Sequence, residues 1–216
     1  MPRLMDLGIC LVSENLTEMG AMAQRSLQIA LDSYFQNNGL RKRVFELCEK
    51  LRSLEDEVGD IATEIVARYQ PVAKDLRFIR ASIEIAYIFW RSGRYSYDII
   101  NTIEDIPIDQ NCDKTAVLEM SSLVRKAMGL GLSSLRTRDE TTVEKLYELD
   151  STVDTLYRRY LHNTINSDKH SDWRARSRCD IRNILILRYL ERISDHACYL
   201  GDCVFYLVTG LSSPRR

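Results

Sequence analysis

The chain has 216 residues, of which 45% are hydrophobic and 28% are charged. This length accommodates one large domain or two domains of about 100 residues each. The formal net charge is -1, so no overall electrostatic field recruits nucleic acid or an anionic membrane surface. Since no apolar run approaches the roughly 18–20 residues that span a bilayer, we expect no membrane insertion.

Apolar residues at three- and four-residue spacing predict six helices. Gly and Pro number only nine and four, and this scarcity favours long helices. Residues 1–15 mix charged with apolar side chains, so we expect no signal peptide there. The predicted helices cover about residues 16–34, 41–69, 71–105, 115–135, 141–166 and 172–208. We expect turns at 37–39 and 167–171, Pro71 in the first turn of the third helix, and Gly210 after the last helix.

The segment 106–111 is the best candidate for a linker and leaves three predicted helices on either side. Residues 44–48 match residues 146–150 with an offset of 102, and Glu18-Met19 matches Glu119-Met120 with an offset of 101. Chance similarity between amphipathic helices is the alternative, but a near-constant offset across three helices predicts an internal duplication. We therefore predict an all-α fold of two tandem three-helix bundles, residues 1–106 and 107–216.

The six cysteines are scattered along the chain and include no Cys-x-x-Cys pair. In a chain of this length, that pattern predicts buried thiols in a reducing cytoplasm. It does not favour a disulfide framework or a zinc site.

Two pairs of acidic residues lie on the fifth and sixth predicted helices. Asp150 and Asp154 are four residues apart, as are Glu191 and Asp195, so each pair shares one helix face. If the two helices pack antiparallel, the four carboxylates form an oxygen-only site for a hard or borderline cation. Asp202 continues the line on the sixth helix. The alternative interpretation is a solvated acidic face, because such pairs are common.

We expect the acids of the sixth helix to repel each other, because we count no Lys or Arg at the interleaving positions. The equivalent positions of the first half hold no acid: they are Cys48, Arg52, Trp90 and Arg94. Loss of all four acids together indicates that the positions are physically coupled, as metal ligands are. We expect packing and ion pairs to replace the site there, or alternatively an anion held by Arg52 and Arg94.

Two motifs of the chain resemble the PhoU family, the cytoplasmic regulators of phosphate uptake. Residues 68–77 resemble the family's Arg-Gln-Pro-x-Ala-x-Asp-Leu-Arg junction, and residues 189–197 resemble its Leu-Glu-Arg-Ile-Gly-Asp-His-Ala helix. Residues 204–210 are similar to its usual tail, and the Asp150–Asp154 pair falls at its preceding acidic motif. Tyr199 departs from the family, which usually has asparagine at this place.

This resemblance implies two three-helix bundles, each with a carboxylate metal cluster. Carried over by position, the ligands in the second bundle are Asp150, Asp154, Glu191 and Asp195, with Asp202 as an outer candidate, while the first site is degenerate. The implied ion is divalent or trivalent: iron, zinc, manganese or magnesium. The family also implies a cytoplasmic homodimer that works through the ATPase subunit of a phosphate ABC transporter and through a sensor kinase.

We therefore predict a regulator of phosphate uptake and homeostasis that is not an enzyme. The chain contains no P-loop, no Gly-x-Gly-x-x-Gly and no Gly-x-Ser-x-Gly motif. None of His162, His170 and His196 follows a Glu by three residues, as a di-iron oxidase requires. We expect His196 to be a surface or core histidine. The alternatives are a metal-dependent hydrolase of phosphorylated small molecules and a helical scaffold that only dimerises.

Overall fold

Six α-helices make up most of the chain that the structure describes. The computed structural model describes residues 4–36, 40–108, 112–166 and 173–213, with the backbone alone for residues 173–176. Within these ranges there is no strand, which confirms the all-α prediction, and no helix is both long and apolar enough to cross a membrane. The helices are α1 (Leu4–Gln36), α2 (Arg41–Tyr69), α3 (Ala73–Asp105), α4 (Thr115–Thr137), α5 (Thr142–Ile165) and α6 (Trp173–Thr209).

The first helix is longer than predicted, because α1 begins at Leu4 instead of near residue 16. Its first turns leave Leu4 71% exposed and Leu7 53% exposed, which blurs the apolar periodicity. These turns are nevertheless supported, because Met5 and Ile9 pack on a buried cluster formed by α2 and α3. The prediction for the start of this helix was therefore wrong.

Most other helix ends agree with the prediction within two or three residues. The placement of Pro71 was nevertheless wrong: α3 begins at Ala73, so Pro71 lies in the connection and not in the first helical turn. Gly210 follows α6 in a left-handed conformation, φ 75°, and its N–H donates to the carbonyl of Tyr206, as expected of a C-terminal glycine. The predicted turns at 37–39 and 167–171 lie outside the described residues.

Each half of the chain folds into a three-helix bundle, since α1–α3 pack together and α4–α6 pack together. The bundles join mainly through α3 and α6, which run antiparallel: Arg80 lies on the ring of Tyr206, and Tyr95 stacks on Tyr189. One hydrophobic cluster runs through both bundles. The predicted boundary after residue 106 follows the end of α3, whereas independent folding of the two bundles stays a prediction.

Equivalent residues of the two bundles meet at the α3–α6 interface. His196 and Tyr95, which differ by the repeat offset of 101, lie with ring centroids 5.7 Å apart. His196 also contacts the rings of Tyr87 and Tyr199 and is 8% exposed, so it is a core histidine. Its burial lowers its pKa to about 4. The contact between equivalent residues indicates an approximate twofold relation between the bundles.

Two cysteines depart from the expectation of free buried thiols. Cys112 and Cys179 form a disulfide with Cα atoms 5.6 Å apart, although 67 positions separate them in sequence. The bond joins the segment before α4 to the first part of α6, a proximity that only the folded bundle creates. Cys48, Cys198 and Cys203 are buried thiols, as predicted, whereas Cys10 is exposed.

Candidate metal centre

The candidate site lies along the contact between α5 and α6. The two helices are antiparallel, since Tyr160 near the end of α5 contacts Asp180 near the start of α6, and Tyr147 contacts Asp202 at the opposite ends. Gly201 permits this close approach, because a Cβ at that position would lie 2.6 Å from the side chain of Leu146. The antiparallel packing that the sequence prediction required is therefore present.

The four predicted carboxylates of this helix pair occupy one half-buried region. Burial raises the pKa of Asp150, and the negative charges of Asp195 and Asp154 raise it further. Burial also raises the pKa of Glu191, and the negative charges of Asp195 and Asp154 raise it further. The pKa of Asp195 is likewise raised by burial and by the charge of Asp154. These mutual effects mean that the carboxylates lie close enough to repel one another.

Three of these acids form ion pairs with arginines of their own helix. The guanidinium of Arg188 lies 2.7 Å from Glu191, and that of Arg192 lies 3.3 Å from Asp195. On α5, Arg158 lies 2.8 Å from Asp154. Our expectation of no cation beside the acids was therefore wrong. The sequence contained the signal, because each arginine stands three or four positions from its acid, the spacing at which side chains meet on a helix.

Two buried carboxylate oxygens in this region do not take part in the arginine contacts. Oε2 of Glu191 is buried and has no hydrogen-bond partner among the described residues. Oδ1 of Asp150 is also buried without a partner in hydrogen-bond geometry, but the hydroxyl of Ser194 lies near enough to the Asp150 carboxyl to lower its pKa. The Nε of Arg192 lies 3.9 Å from that glutamate oxygen, which is too long for a hydrogen bond. A buried carboxylate oxygen without a donor is costly, and a bound cation would remove the cost.

The residues fit a hard cation by donor type but are not converged on one point. Carboxylate oxygens are the ligands that magnesium, manganese and calcium prefer, and iron and zinc also accept them. Within the described ranges, however, no group of three or more His, Cys, Asp or Glu is placed to hold one ion. Binding would therefore require the carboxylates to turn toward one another and away from their arginines. The metal site itself stays a prediction.

Asp202 is placed apart from this group. Its carboxylate is 2% exposed and accepts hydrogen bonds from the hydroxyl of Tyr147, at 2.9 Å to one oxygen and 3.2 Å to the other. Burial and this hydrogen bond raise the pKa of Tyr147, which therefore stays a donor. Cys198 lies between Asp202 and the four acids, and burial raises its pKa, so it is a neutral thiol. Asp202 thus has a structural partner where the sequence suggested an outer ligand.

The equivalent region of the first bundle is closed by aromatic and ionic contacts. The guanidinium of Arg52 lies over the ring of Trp90, 4.8 Å from its centroid, and Arg94 lies 3.0 Å from Asp98. Cys48 is buried, and its burial raises its pKa. Packing and ion pairs therefore occupy the positions at which the second bundle holds its acids, as predicted.

The chain is similar to proteins of a known family. The family model of the PhoU domain matches the chain twice, over residues 16–103 and 117–204, which confirms both the duplication and its offset of 101 (117 − 16). A relative from Zymomonas mobilis, called phosphate-specific transport system accessory protein PhoU homolog, is 28% identical over 93% of this chain and 85% of its own length. A relative of the same description from Pseudomonas aeruginosa is 28% identical over 92% of this chain and 83% of its own length.

Solved structures agree with this fold. The crystal structure of PhoU from Pseudomonas aeruginosa superposes with a TM-score of 0.84 at 25% identity, covering 95% of this chain and 99% of the other. The phosphate transport system regulatory protein PhoU from Streptococcus pneumoniae superposes with a TM-score of 0.83, covering 97% and 99% of the two chains. At 14% identity, the second likeness concerns the fold alone.

Proposed function

Because the chain belongs to the PhoU domain family, we propose that it is an accessory protein that regulates phosphate uptake and catalyses no reaction. Relatives matched over 93% and 92% of the chain carry the description of phosphate-specific transport accessory protein, which supports this role. Its partners are the ATPase subunit of a phosphate ABC transporter and a sensor kinase. The protein acts in the cytoplasm, where such an ATPase works, and it does so as a homodimer.

The regulator carries one cation, held between α5 and α6 by Asp150, Asp154, Glu191 and Asp195. The observation that carries this assignment is the buried Oε2 of Glu191, which lies within the group of carboxylates and has no hydrogen-bond partner among the described residues. The ion supplies positive charge that removes the repulsion between these acids. Asp202 stays with Tyr147 and keeps the start of α5 against the last part of α6.

Ion binding also changes what the neighbouring arginines can do. When Asp154, Glu191 and Asp195 turn toward the ion, their partners Arg158, Arg188 and Arg192 lose an ion pair. These guanidinium groups are at least partly exposed, so they become available to acidic side chains of another protein. Binding of the ion by the acids and binding of a partner protein by the arginines are thereby linked.

Metal analysis of protein purified without chelator tests the site. We expect about one bound ion per chain, and we expect the variants Asp150→Asn and Asp195→Asn each to lower this content strongly. Asp98→Asn is the matched control, because Asp98 is similarly buried and pairs with Arg94 in the first bundle. No bound ion in the unmodified protein, or equal loss in the control, would count against the centre.

Affinity purification from the native cell tests the regulatory role separately. We expect the transporter ATPase subunit to copurify with the unmodified protein and less of it with Asp195→Asn. Metal-dependent turnover of phosphorylated small molecules would instead support a hydrolase. Dimerisation without any transporter subunit would support a scaffold.

A further inference from the structure

A groove between α1 and α4 contains none of the residues of the candidate metal centre. The two helices cross antiparallel, and the groove holds two cavities of about 460 and 320 Å³ that share Gln24 in their walls. The larger cavity has the size of an ordinary small-molecule site. Because the two cavities adjoin, the groove can hold one elongated ligand.

Four arginines line this groove, Arg136 and Arg138 in the larger cavity and Arg25 and Arg125 in the smaller one. Within the part of the chain that the structure describes, none of them forms an ion pair with a carboxylate; Arg125 donates to the side chain of Gln28. This contrasts with the arginines of α5 and α6, which pair with acids. The groove is therefore cationic and complementary to an anion.

Arg138 is held at the cavity wall. Its guanidinium lies over the ring of Phe78, 5.5 Å from the centroid, and burial lowers its pKa. The residue has a left-handed backbone conformation with φ 56°, which is unfavourable for arginine. This conformation sets the direction in which the side chain leaves the backbone. Arg138 remains exposed to solvent and has no carboxylate partner among the described residues, so an anion in the cavity would be attracted to it.

The remaining wall of the larger cavity is partly apolar. It is lined by Leu16, Leu132, Leu135 and Phe78, and Ser13 and Thr17 add polar groups. Apolar surface with a few polar groups and a localised charge is typical of sites for organic ligands. A small inorganic ion would leave this apolar surface unused.

We propose that this groove binds an organic phosphate with an aromatic or apolar body, of the nucleotide class. Arginine is the side chain best suited to a phosphoryl group, because its planar donors match the phosphate oxygens. Arg125 and Arg136 are 11 residues apart on α4, or about 16 Å along the helix. A single phosphate ion reaches one arginine pair, whereas an elongated nucleotide extends from one pair toward the other.

Isothermal titration calorimetry with ATP tests the proposal, with inorganic phosphate as a separate arm. A chelator is present throughout, so that no metal ion at the α5–α6 acids contributes. We expect one ATP per chain, bound at least about tenfold more tightly than phosphate. Equal affinity for ATP and phosphate, or no binding of ATP, would overturn the proposal.

Variants locate the binding within the groove. The double variant Arg136→Gln/Arg138→Gln should weaken ATP binding at least about tenfold. Arg43→Gln/Arg68→Gln removes the same charge from exposed positions of α2 and should leave the affinity unchanged. Phe78→Leu, which keeps an apolar side chain, should weaken ATP severalfold without changing phosphate. If both double variants weaken ATP equally, the binding reflects net charge and the groove is not the site.

Discussion

The two bundles share one fold but stabilise equivalent positions by different chemistry. In the first bundle, the cation of Arg52 lies on the ring of Trp90, and this contact is complete without a ligand. In the second, Asp154 and Glu191 stand at the equivalent positions, and Glu191 keeps a buried oxygen without a partner. The first arrangement needs no ligand, whereas in the second a bound cation would satisfy the glutamate oxygen that the arginines leave unpaired.

This difference indicates that, after a duplication, one bundle can serve stability while the other keeps a binding site. One copy can lose its acids without harm when a cation–π contact replaces the charge interactions. The other copy retains repelling acids, which stability alone does not favour. A site that costs stability in its empty form is expected where binding energy is used for regulation.

The largest expected effect concerns the disulfide, which has no equivalent in the first bundle. The positions equivalent to Cys112 and Cys179 are Leu11, which is 42% exposed, and Phe78, so the first bundle has no cross-link there. Cys112→Ser/Cys179→Ser should lower the free energy of unfolding by about 4 kcal/mol, given a loop of 67 positions. Urea denaturation measures this, with Cys10→Ser as the control. An unchanged unfolding midpoint would mean that the cysteines do not form this bond in solution.

A second effect distinguishes Tyr147 from its first-bundle equivalent, Phe45. Tyr147→Phe leaves the carboxylate of Asp202 buried without its hydroxyl donor, so we expect a loss of about 2–3 kcal/mol in unfolding free energy. Tyr157→Phe, on the same helix, should change stability by less than about 0.5 kcal/mol. Similar losses in both variants would show that Asp202 does not depend on this hydrogen bond.

The third effect is a pH dependence of stability that comes from His196 and not from its first-bundle equivalent, Tyr95. Burial depresses the pKa of folded His196 from 6.5 to about 4, so the unfolded state binds more protons between these values. Stability is therefore full above pH 6.5 and falls as pH decreases toward 4. At pH 5, we expect a contribution of about −2 kcal/mol relative to pH 8.

Denaturation of the unmodified protein and of His196→Phe at both pH values isolates this contribution. The variant should lose less stability on acidification, because phenylalanine does not titrate. The acids of α5 and α6 have raised pKa values and act in the opposite direction, but they are present in both proteins. An identical pH dependence in the two proteins would contradict the burial of His196.

Periodicity predicted much of this fold because it directly reflects burial. Apolar spacing gave the helices from α2 onward, but it missed the start of α1, where Leu4 and Leu7 face outward. The four acids were predicted together because spacing of four residues and antiparallel packing determine where side chains meet.

The remaining features depend on contacts that sequence spacing does not encode. The Cys112–Cys179 bond joins segments that are distant in the chain. The partnership of Tyr147 with Asp202 depends on the tertiary position of one hydroxyl. Arg188 and Arg192 are a different case, because their spacing to Glu191 and Asp195 was readable from the sequence.

The smallest expected effect on stability tests the comparison most directly. The double variant Asp154→Arg/Glu191→Trp transfers the first bundle's cation–π pair into the second bundle. If the two bundles are equivalent in backbone, Arg over Trp should replace the acids and keep the unfolding free energy within about 1 kcal/mol. The same variant should lose metal binding, since two proposed ligands are gone and a cation stands in their place.

The reverse transfer is the control, and it decides between two explanations. Arg52→Asp/Trp90→Glu restores two acids to the first bundle, where Arg94 and Cys48 still occupy the other two positions. We expect a loss of stability without any gain of bound metal, because two carboxylates beside an arginine do not complete a site. If this variant did bind metal, two acids would suffice as ligands. The joint loss of all four acids in the first bundle would then be no sign that they act as one set.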